Sequence, residues 1–283
     1  MKSIDPSLVE EPLTLEEIHQ VMLGLLKNVI SICKKHGIRY FIAYGSLIGT
    51  VRHQGYIPWD DDLDIMMLRP DYDKFCSICN QYVNGHGDYA LLNRDNTKSY
   101  PNNISRFCDM RYKMIRHDNE PTGGAGAFID IYPLDGLGNH ELVIKYILKP
   151  LKLLNLVLMY VAQSNQIFIR PYSKKIKLAG CVLLPFGRLM GGNFFYKILR
   201  KIGRHHSTKH SKFVGVYVWE PVLDYYPIEY FEDTIEGNFE GVTVSMPKEY
   251  DKILCHLYGD YMHLPPIEDR KPHHAYDIYR KKW

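Results

Sequence analysis

The feature that most constrains this chain is a series of aspartates at the start of an apolar segment. Asp60, Asp62 and Asp64 alternate along the sequence and lead into the apolar residues 65–68. Because side chains at positions i and i+2 of a β-strand share one face, the sequence predicts a strand whose three carboxylates project together. Carboxylates that close repel one another and need a compensating cation. Mg²⁺ fits that role, since it binds carboxylate oxygens and leaves room for substrate phosphate.

A glycine-serine pair precedes the carboxylates, with Ser46 sixteen positions before Asp62. Gly45 has no Cβ, so a phosphate chain could approach its backbone closely. Ser46 is expected to cap a short helix over residues 47–54, whose N-terminus would attract phosphate. Gly45 and Ser46 are therefore candidate substrate-binding residues. The alternative is that residues 60–64 form a solvated acidic turn, but the apolar residues on both sides disfavour it.

A further carboxylate, Asp130, lies inside the apolar strand predicted for residues 127–132. A buried carboxylate is costly unless it is paired or bound to a metal, so Asp130 is a candidate site residue. The alternative is an aspartate that stabilises a turn or a helix start. Asp135 is followed by Gly136 and is expected to be a turn residue.

The segment from Lys34 to Leu68 resembles the LicD family, phosphotransferases related to the fukutin group within the nucleotidyltransferase superfamily. The central residues 141–212 carry no motif that matches the family. Further matches lie at residues 128–135 and in the tail: Phe239-Glu-Gly241, Tyr258-Gly-Asp-Tyr-Met262, Leu264-Pro-Pro266 and His273-His274.

The resemblance implies a role for each candidate residue. Asp62 and Asp64 would bind the metal, Mg²⁺ or Mn²⁺. Asp130 would be a third metal ligand and the general base, and Asp60 a second catalytic carboxylate. Three further residues would bind substrate: Arg52, His273 and His274. The alternative for Arg52 is an ion pair with Asp61, and for the histidines a surface tail.

The resemblance also implies an activity. Members of the family move phosphocholine from CDP-choline to a sugar hydroxyl of a surface glycan and release CMP, and relatives use donors such as CDP-ribitol. Two alternatives stay open: a nucleotidyltransferase that moves the nucleotide itself, and a non-catalytic membrane-associated protein. An aromatic cage would suit choline, and core packing is the alternative for its candidates, Tyr217, Trp219, Tyr225 and Tyr226.

Charge is unevenly distributed along the chain. Residues 142–212 contain fourteen Lys or Arg and no Asp or Glu, whereas the whole chain has a net charge of only +3. Lys145, Lys149 and Lys152 fall at helical spacing opposite apolar residues, a pattern typical of helices that lie on anionic membranes. A nucleic-acid surface is disfavoured by the long apolar faces. A helical subdomain with a solvated basic rim is the remaining alternative.

These observations predict an α/β (α+β) protein with a nucleotidyltransferase-like mixed sheet flanked by helices and a basic helical insertion. Residues 1–140 would form the catalytic core, 141–212 the insertion, and 213–283 the part that completes the catalytic domain and its pocket. Thr14 and Glu17 form a capping box that predicts a helix to about Lys35. The first residues lack the pattern of a secretory signal, so we expect a cytoplasmic enzyme on the inner face of the membrane.

Overall fold

The computed structural model describes residues 9–98, 100–117, 121–163, 174, 178, 185–219, 222–272 and 275–282. The α-helices that we label are α1 Leu15–His36, α2 Tyr44–Ile48, α3 Arg69–Tyr82, α4 Glu141–Val143, α5 Lys149–Gln163, α6 Gly192–Gly203 and α7 Tyr250–Tyr258. Wider π-helical turns follow α2 at Gly49–His53 and α4 at Ile144–Leu148. Short 3₁₀ turns lie at Thr208–His210, Ile228–Phe231 and Ile267–Asp269.

The strands are β1 Val9–Pro12, β2 Phe41–Ile42, β3 Asp64–Leu68, β4 Tyr89–Leu92, β5 Ser105–Asp109, β6 Tyr112–Arg116, β7 Ala127–Gly136, β8 Phe213–Gly215, β9 Tyr225–Pro227, β10 Thr234–Phe239, β11 Val242–Pro247 and β12 Tyr276–Lys281. Within the described residues, the main sheet has the order β2-β3-β7-β5-β4, and β8 and β9 extend from β7. A second sheet has the order β1-β12-β6, and β10 pairs with β11. Every residue of β3 and β7 is buried, as expected for strands inside a layered α/β fold. The predicted mixed sheet flanked by helices is confirmed.

The first helix follows the prediction made from its sequence. The Thr14 side chain accepts a hydrogen bond from the amide of Glu17, and the Glu17 carboxylate accepts one from the amide of Thr14. Gly37 ends the helix in the left-handed conformation, at φ 58°. Both ends are local signals, and a buried stripe that includes Met22 and Val29 fixes the helix against the core.

The chain divides into two compact units. The first consists of Met1–Pro133 and Glu229–Trp283, and the second of Leu134–Ile228. Every described residue of the candidate site discussed below lies in the first unit. The second unit contains α4 to α6, β8, β9 and the last three residues of β7. The predicted functional boundaries at residues 140 and 212 stay a prediction.

Inside the second unit, one lysine of the predicted basic stripe does not face outward. Lys152 is completely buried, and its ammonium group donates to the carbonyl oxygens of Val216 and Val222, each at 3.0 Å. Its assignment to a membrane-facing stripe is therefore wrong. Val216 and Val222 lie between β8 and β9, outside the strands, and the buried ammonium provides a donor for their carbonyl groups. Lys145 is exposed and keeps its place in the stripe.

The candidate aromatic cage is also not assembled from the predicted side chains. Tyr217 and Tyr226 are 0% and 3% exposed and belong to the core, which was the alternative interpretation. Tyr225 is already in contact with other groups: its hydroxyl donates to Glu141, and the Lys149 ammonium lies 4.9 Å from its ring centre. Trp219, the fourth candidate, is half-buried.

Asp135 is not a turn residue. It lies inside β7, is completely buried and pairs with Gly215 of β8. The glycine that follows it is in the strand as well, so the Asp-Gly pair does not mark a turn here. The strand continues because β8, far away in sequence, supplies its partner.

No helix among the described residues is long and apolar enough to cross a membrane.

Candidate active site

The segment from Asp60 to Leu63 is extended but is not part of a strand, because β3 begins only at Asp64. The predicted strand over all three carboxylates is therefore wrong in its first half. Side chains from three distant elements bind its main chain instead. His19 of α1 contacts the Asp60 carbonyl oxygen at 2.6 Å, the Tyr276 hydroxyl donates to the Asp61 carbonyl oxygen at 3.0 Å, and the Ser46 hydroxyl accepts from the Asp64 amide at 2.9 Å.

Besides these side-chain contacts, the segment has a backbone contact to a strand: the Leu63 carbonyl oxygen accepts from the amide of Asp130 in β7 at 3.0 Å. The segment's polar backbone groups need partners when they are buried, and side chains can provide them as well as a strand can. Asp60 and Asp62 stay half-exposed, whereas Asp61 and Asp64 are each only 5% exposed. Of the three alternating carboxylates, Asp60 and Asp62 are therefore accessible at the surface of the unit, and Asp64 is buried next to them.

Ser46 does not cap a helix. Helix α2 begins two residues earlier, with Ala43 at the N-cap, and Ser46 lies buried inside it. Its hydroxyl binds the amide of Asp64, so it connects α2 to the start of β3. The serine is required by a tertiary contact, which its sequence neighbours do not reveal.

Gly45 is needed for close approach, as expected, but to a neighbouring carboxylate. A Cβ at this position would lie 2.7 Å from Oδ2 of Asp60, which is shorter than van der Waals contact. The start of α2 and the carboxylate segment are therefore in direct contact, and the role of Gly45 in substrate binding stays a prediction. Gly45 itself is half-buried, so its main chain stays accessible.

Asp64 is the most strongly perturbed carboxylate of the site. Burial raises its pKa well above the ordinary value, and repulsion from Asp62, Asp130 and Asp60 raises it further, against one hydrogen bond from Tyr132. Within the part of the chain that the structure describes, its Oδ1 is buried and has no hydrogen-bond partner. A buried oxygen surrounded by like charges is a position where a cation would be strongly stabilised.

Asp130 forms an ion pair that the sequence analysis did not predict. Arg106 of β5 lies directly opposite Asp130 of β7 in the sheet. Its Nε donates to Oδ1 at 2.7 Å and its Nη2 to Oδ2 at 3.3 Å, and both side chains are buried. Burial alone would lower the pKa of Arg106, but the Asp130 charge outweighs that effect and raises it.

The ion pair changes the interpretation of Asp130. Both of its oxygens accept hydrogen bonds from Arg106, so the carboxylate is compensated without a metal. The signal that could have revealed this is an arginine among the apolar residues of the segment 104–108, where a buried charge requires a partner of opposite sign. The roles of Asp130 as metal ligand and base stay predictions.

The Phe239-Glu-Gly241 motif forms the turn between β10 and β11 and packs against the loop that precedes Asp60. Oε1 of Glu240 accepts from the amide of Tyr56 at 3.2 Å, and the Glu240 amide donates to the carbonyl oxygen of Gln54 at 2.9 Å. The ring of Tyr56 stacks on His19, with centres 3.9 Å apart. The motif therefore positions the carboxylate segment from a distance of about 180 residues along the chain.

Arg52 does not pair with Asp61. Its guanidinium donates to the ring of His53 at 2.9 Å and to the carbonyl oxygens of Tyr261 and His263 in the tail. Burial lowers the pKa of Arg52, and the nearby charge of Arg270 lowers it further. His273 and His274 lie outside the described residues, so their predicted roles remain untested.

The carboxylates are close enough to repel one another but do not by themselves form a metal cage. Within the described ranges, no group of three or more His, Cys, Asp or Glu side chains is arranged to hold a metal ion. Mg²⁺ usually takes only one or two protein carboxylates and completes its shell with water and substrate phosphate. Asp62 and Asp64 are therefore sufficient as the protein's share of such a site.

Comparisons with known proteins show which family the part of the chain with these residues matches. Residues 37–140, which contain the turn, the carboxylate segment, Arg106 and Asp130, match the family described as LicD/FKTN/FKRP, nucleotidyltransferase domain. The lipopolysaccharide cholinephosphotransferase LicD of Haemophilus influenzae is 28% identical over 272 residues, which cover 94% of this chain and 98% of that protein.

Two rickettsial proteins match a shorter part of the chain. The proteins RT0683 of Rickettsia typhi and RP689 of Rickettsia prowazekii are 45% and 49% identical over 58 residues, about a fifth of each sequence. The family match covers the carboxylate residues and the similarity to LicD extends along nearly the whole chain. Residues 37–140 therefore form a domain of the LicD/FKTN/FKRP family, and the two matches together support a LicD family phosphotransferase.

Proposed function

We propose that this protein transfers phosphocholine, or a related phospho-alcohol, from a CDP-activated donor to a hydroxyl of a cell-surface glycan or its lipid-linked precursor. The observation that carries the proposal is the similarity to a lipopolysaccharide cholinephosphotransferase over 94% of the chain. The buried carboxylate cluster supports it, because phosphoryl transfer depends mainly on positioning and on neutralising charge.

In this reaction the bond between the phosphocholine phosphorus and the bridging oxygen of the diphosphate breaks. A new bond forms between that phosphorus and the acceptor oxygen, CMP leaves with the bridging oxygen, and the acceptor proton passes to a base. CDP-choline is the donor that the proposal favours, and CDP-ribitol is a related one. The acceptor would be a sugar of lipopolysaccharide or of teichoic acid.

Asp62 and Asp64 are the residues that we propose to hold Mg²⁺ or Mn²⁺. The unpaired Oδ1 of Asp64 and the repulsion between the carboxylates fit a divalent cation. When bound, the ion would neutralise negative charge on the diphosphate. Arg106 forms an ion pair with Asp130 and neutralises its charge, which limits the negative charge in the buried part of the site.

Asp60 is the better placed of the two proposed catalytic carboxylates. It is half-exposed and lies against Gly45, where a substrate can approach, whereas Asp130 is buried and bound to Arg106. We therefore propose that Asp60 is the base that accepts the proton of the acceptor hydroxyl, with Asp130 as the alternative. Ser46 is a positioning residue for Asp64, and the accessible main chain of Gly45 is the part of the turn that a donor phosphate can reach.

The test is CMP release from CDP-choline in the presence of Mg²⁺ and a lipopolysaccharide acceptor. Asp62→Asn and Asp64→Asn should abolish it, whereas Asp233→Asn, a change in an exposed ion pair with Lys248, should not. ³¹P NMR of the products distinguishes the alternative nucleotidyltransferase, which would leave the nucleotide on the acceptor. No turnover of any CDP-alcohol, with the metal present, would leave the non-catalytic alternative.

We also propose that the second unit brings the enzyme to the inner face of an anionic membrane, where a lipid-linked acceptor would be found. Large apolar side chains around Lys145 are exposed, among them Leu142 at 70%, Tyr146 at 66% and Ile147 at 56%. Exposed apolar groups beside cations are typical of helices that bind anionic lipid surfaces. Flotation with liposomes should require anionic lipid and weaken with salt, and flotation that ignores lipid charge would contradict the proposal.

A further inference from the structure

Four side chains next to the carboxylate segment form a group in which only Arg52, a candidate substrate-binding residue, has so far been given a role. Arg52, His53, Trp59 and Arg270 make up this group, which we call the arginine–tryptophan cluster. The Trp59 ring centre lies 5.5 Å from the guanidinium carbon of Arg270 and 6.4 Å from the ring centre of His53. Arg52 is bonded to His53. Trp59 directly precedes Asp60, so the cluster adjoins the catalytic segment.

The two arginines are held in place by main-chain oxygens of one loop. Arg52 donates to the carbonyl oxygens of Tyr261 and His263, and Nε of Arg270 donates to that of Pro265 at 2.9 Å. These three carbonyls lie in the tail that carries the family motifs of residues 258–266. A guanidinium held by carbonyl groups keeps its full charge, because a carbonyl oxygen is a neutral acceptor.

The positive charge of the cluster is not compensated. Among the residues that the structure describes, neither Arg52 nor Arg270 forms an ion pair with a carboxylate, and the two repel each other. His53 is neutral and adds no charge to the cluster. Arg52 must be the donor in their hydrogen bond, so Nε2 of His53 is an acceptor. Two pre-organised guanidinium groups without a counter-charge form a site for an anion with several oxygens, for which arginine is well suited.

We propose that the arginine–tryptophan cluster binds the donor diphosphate through the phosphate that stays on the nucleoside, with Arg52 and Arg270 as ligands. Trp59 is a positioning residue that holds Arg270 by a cation–π contact. This inference deepens the proposed function and rests on it, but phosphate binding by the cluster can be tested separately. The same chemistry could instead serve a phosphate group on a lipid-linked acceptor.

The first experiment measures binding without catalysis. Calorimetric titration with inorganic pyrophosphate, in the absence of divalent metal, should detect binding by the unaltered protein. Arg270→Gln should weaken that binding at least about tenfold, because a charge-assisted contact is lost. Arg280→Gln is the matched control, since Arg280 also lies over an aromatic ring. Its guanidinium carbon is 5.8 Å from the ring centre of Tyr112 on the neighbouring strand β6. Equal affinity in Arg270→Gln and the unaltered protein would overturn the proposal, whatever the enzyme catalyses.

The second experiment distinguishes donor from acceptor. With CDP-choline as donor, Arg270→Gln should raise KM for the donor at least about tenfold and leave KM for the acceptor unchanged. Trp59→Ala should have the same effect and Trp59→Phe a smaller one, because phenylalanine keeps an aromatic face for Arg270. An increase in KM for the acceptor alone would refute the donor assignment. If the unaltered protein bound pyrophosphate but transferred nothing from CDP-choline, the proposed function would be contradicted and the cluster would still be an anion site.

Discussion

Replacing Asp64 with asparagine should stabilise the metal-free protein while it destroys the proposed metal site. In the folded state Asp64 is buried, its Oδ1 has no hydrogen-bond partner among the described residues, and three neighbouring aspartates repel it. A buried polar oxygen left without a partner costs about 1–3 kcal/mol, and more when it is charged. An amide at this position removes the repulsion and can donate to a neighbouring carboxylate. We therefore expect Asp64→Asn to raise the free energy of unfolding by about 1–3 kcal/mol in EDTA.

The effect should depend on pH in a defined direction. The folded-state pKa of Asp64 is raised, so its contribution to stability is fully present below the unfolded pKa and is lost as pH rises through the folded pKa. The unaltered protein loses that contribution on going from about pH 4 towards neutrality. The variant has no such group, so the gain from Asp64→Asn should grow with pH over the same range.

Added metal should reverse the order of stability. An ion that binds only the folded state stabilises it by about 2.7 kcal/mol at one hundred times its dissociation constant. Urea unfolding should therefore show that Mg²⁺ stabilises the unaltered protein and Asp233→Asn, but not Asp64→Asn. The reasoning would be refuted if Asp64→Asn were less stable than the unaltered protein in EDTA, or if Mg²⁺ stabilised both equally.

Three other substitutions test separate parts of the fold through the free energy of unfolding in urea. Arg106→Met should cost about 3–5 kcal/mol, because it leaves Asp130 buried and unpaired. The double variant with Asp130→Leu should recover most of that loss. A cost under about 1 kcal/mol for Arg106→Met would contradict the ion pair. Lys152→Met should cost about 1–3 kcal/mol by leaving the buried Val216 carbonyl and the partly buried Val222 carbonyl without this donor, whereas the exposed Lys145→Met should change stability by less than about 0.5 kcal/mol. Gly49→Ala should cost about 1–3 kcal/mol, since its Cβ would clash with the Gly55 carbonyl oxygen, but Gly24→Ala has free space in α1 and should stabilise by up to about 1 kcal/mol. Equal effects would show that the loop adjusts freely.

The parts of the fold that could be predicted from sequence are those set by near neighbours. The capping box of Thr14 and Glu17 determined where α1 begins, and Gly37 determined where it ends. Apolar spacing also predicts a strand at Tyr89–Leu92, which has these limits in the structure, and a helix over residues 71–83, where α3 begins two residues earlier, at Arg69. In each case apolar periodicity and local capping decide the structure.

The parts that could not be predicted depend on partners far away in the chain. Asp60 was expected in a strand, but His19 and Tyr276 bind this segment's carbonyl groups from α1 and β12. Lys152 was assigned to a basic surface because its spacing from Lys145 and Lys149 matches a helical stripe. It is a core residue because its ammonium group donates to the Val216 carbonyl oxygen, 64 residues away. Asp130 was identified as a residue that needs compensation, yet its sequence neighbours do not reveal that Arg106 lies opposite.

The discontinuity of the first unit has a consequence for how the protein matures on the ribosome. Strand β12 lies between β1 and β6, and Tyr276 of β12 pairs with Arg116 of β6, 160 residues earlier. At about 5–20 residues synthesised per second, about 8 to 30 s separate the appearance of these two residues. Until β12 emerges, that sheet lacks its central strand and the Asp61 carbonyl lacks the Tyr276 hydroxyl, so the acidic segment cannot be fully anchored. The uninterrupted stretch Leu134–Ile228 is under no such delay, so a nascent chain would acquire its basic helices well before it becomes competent for chemistry.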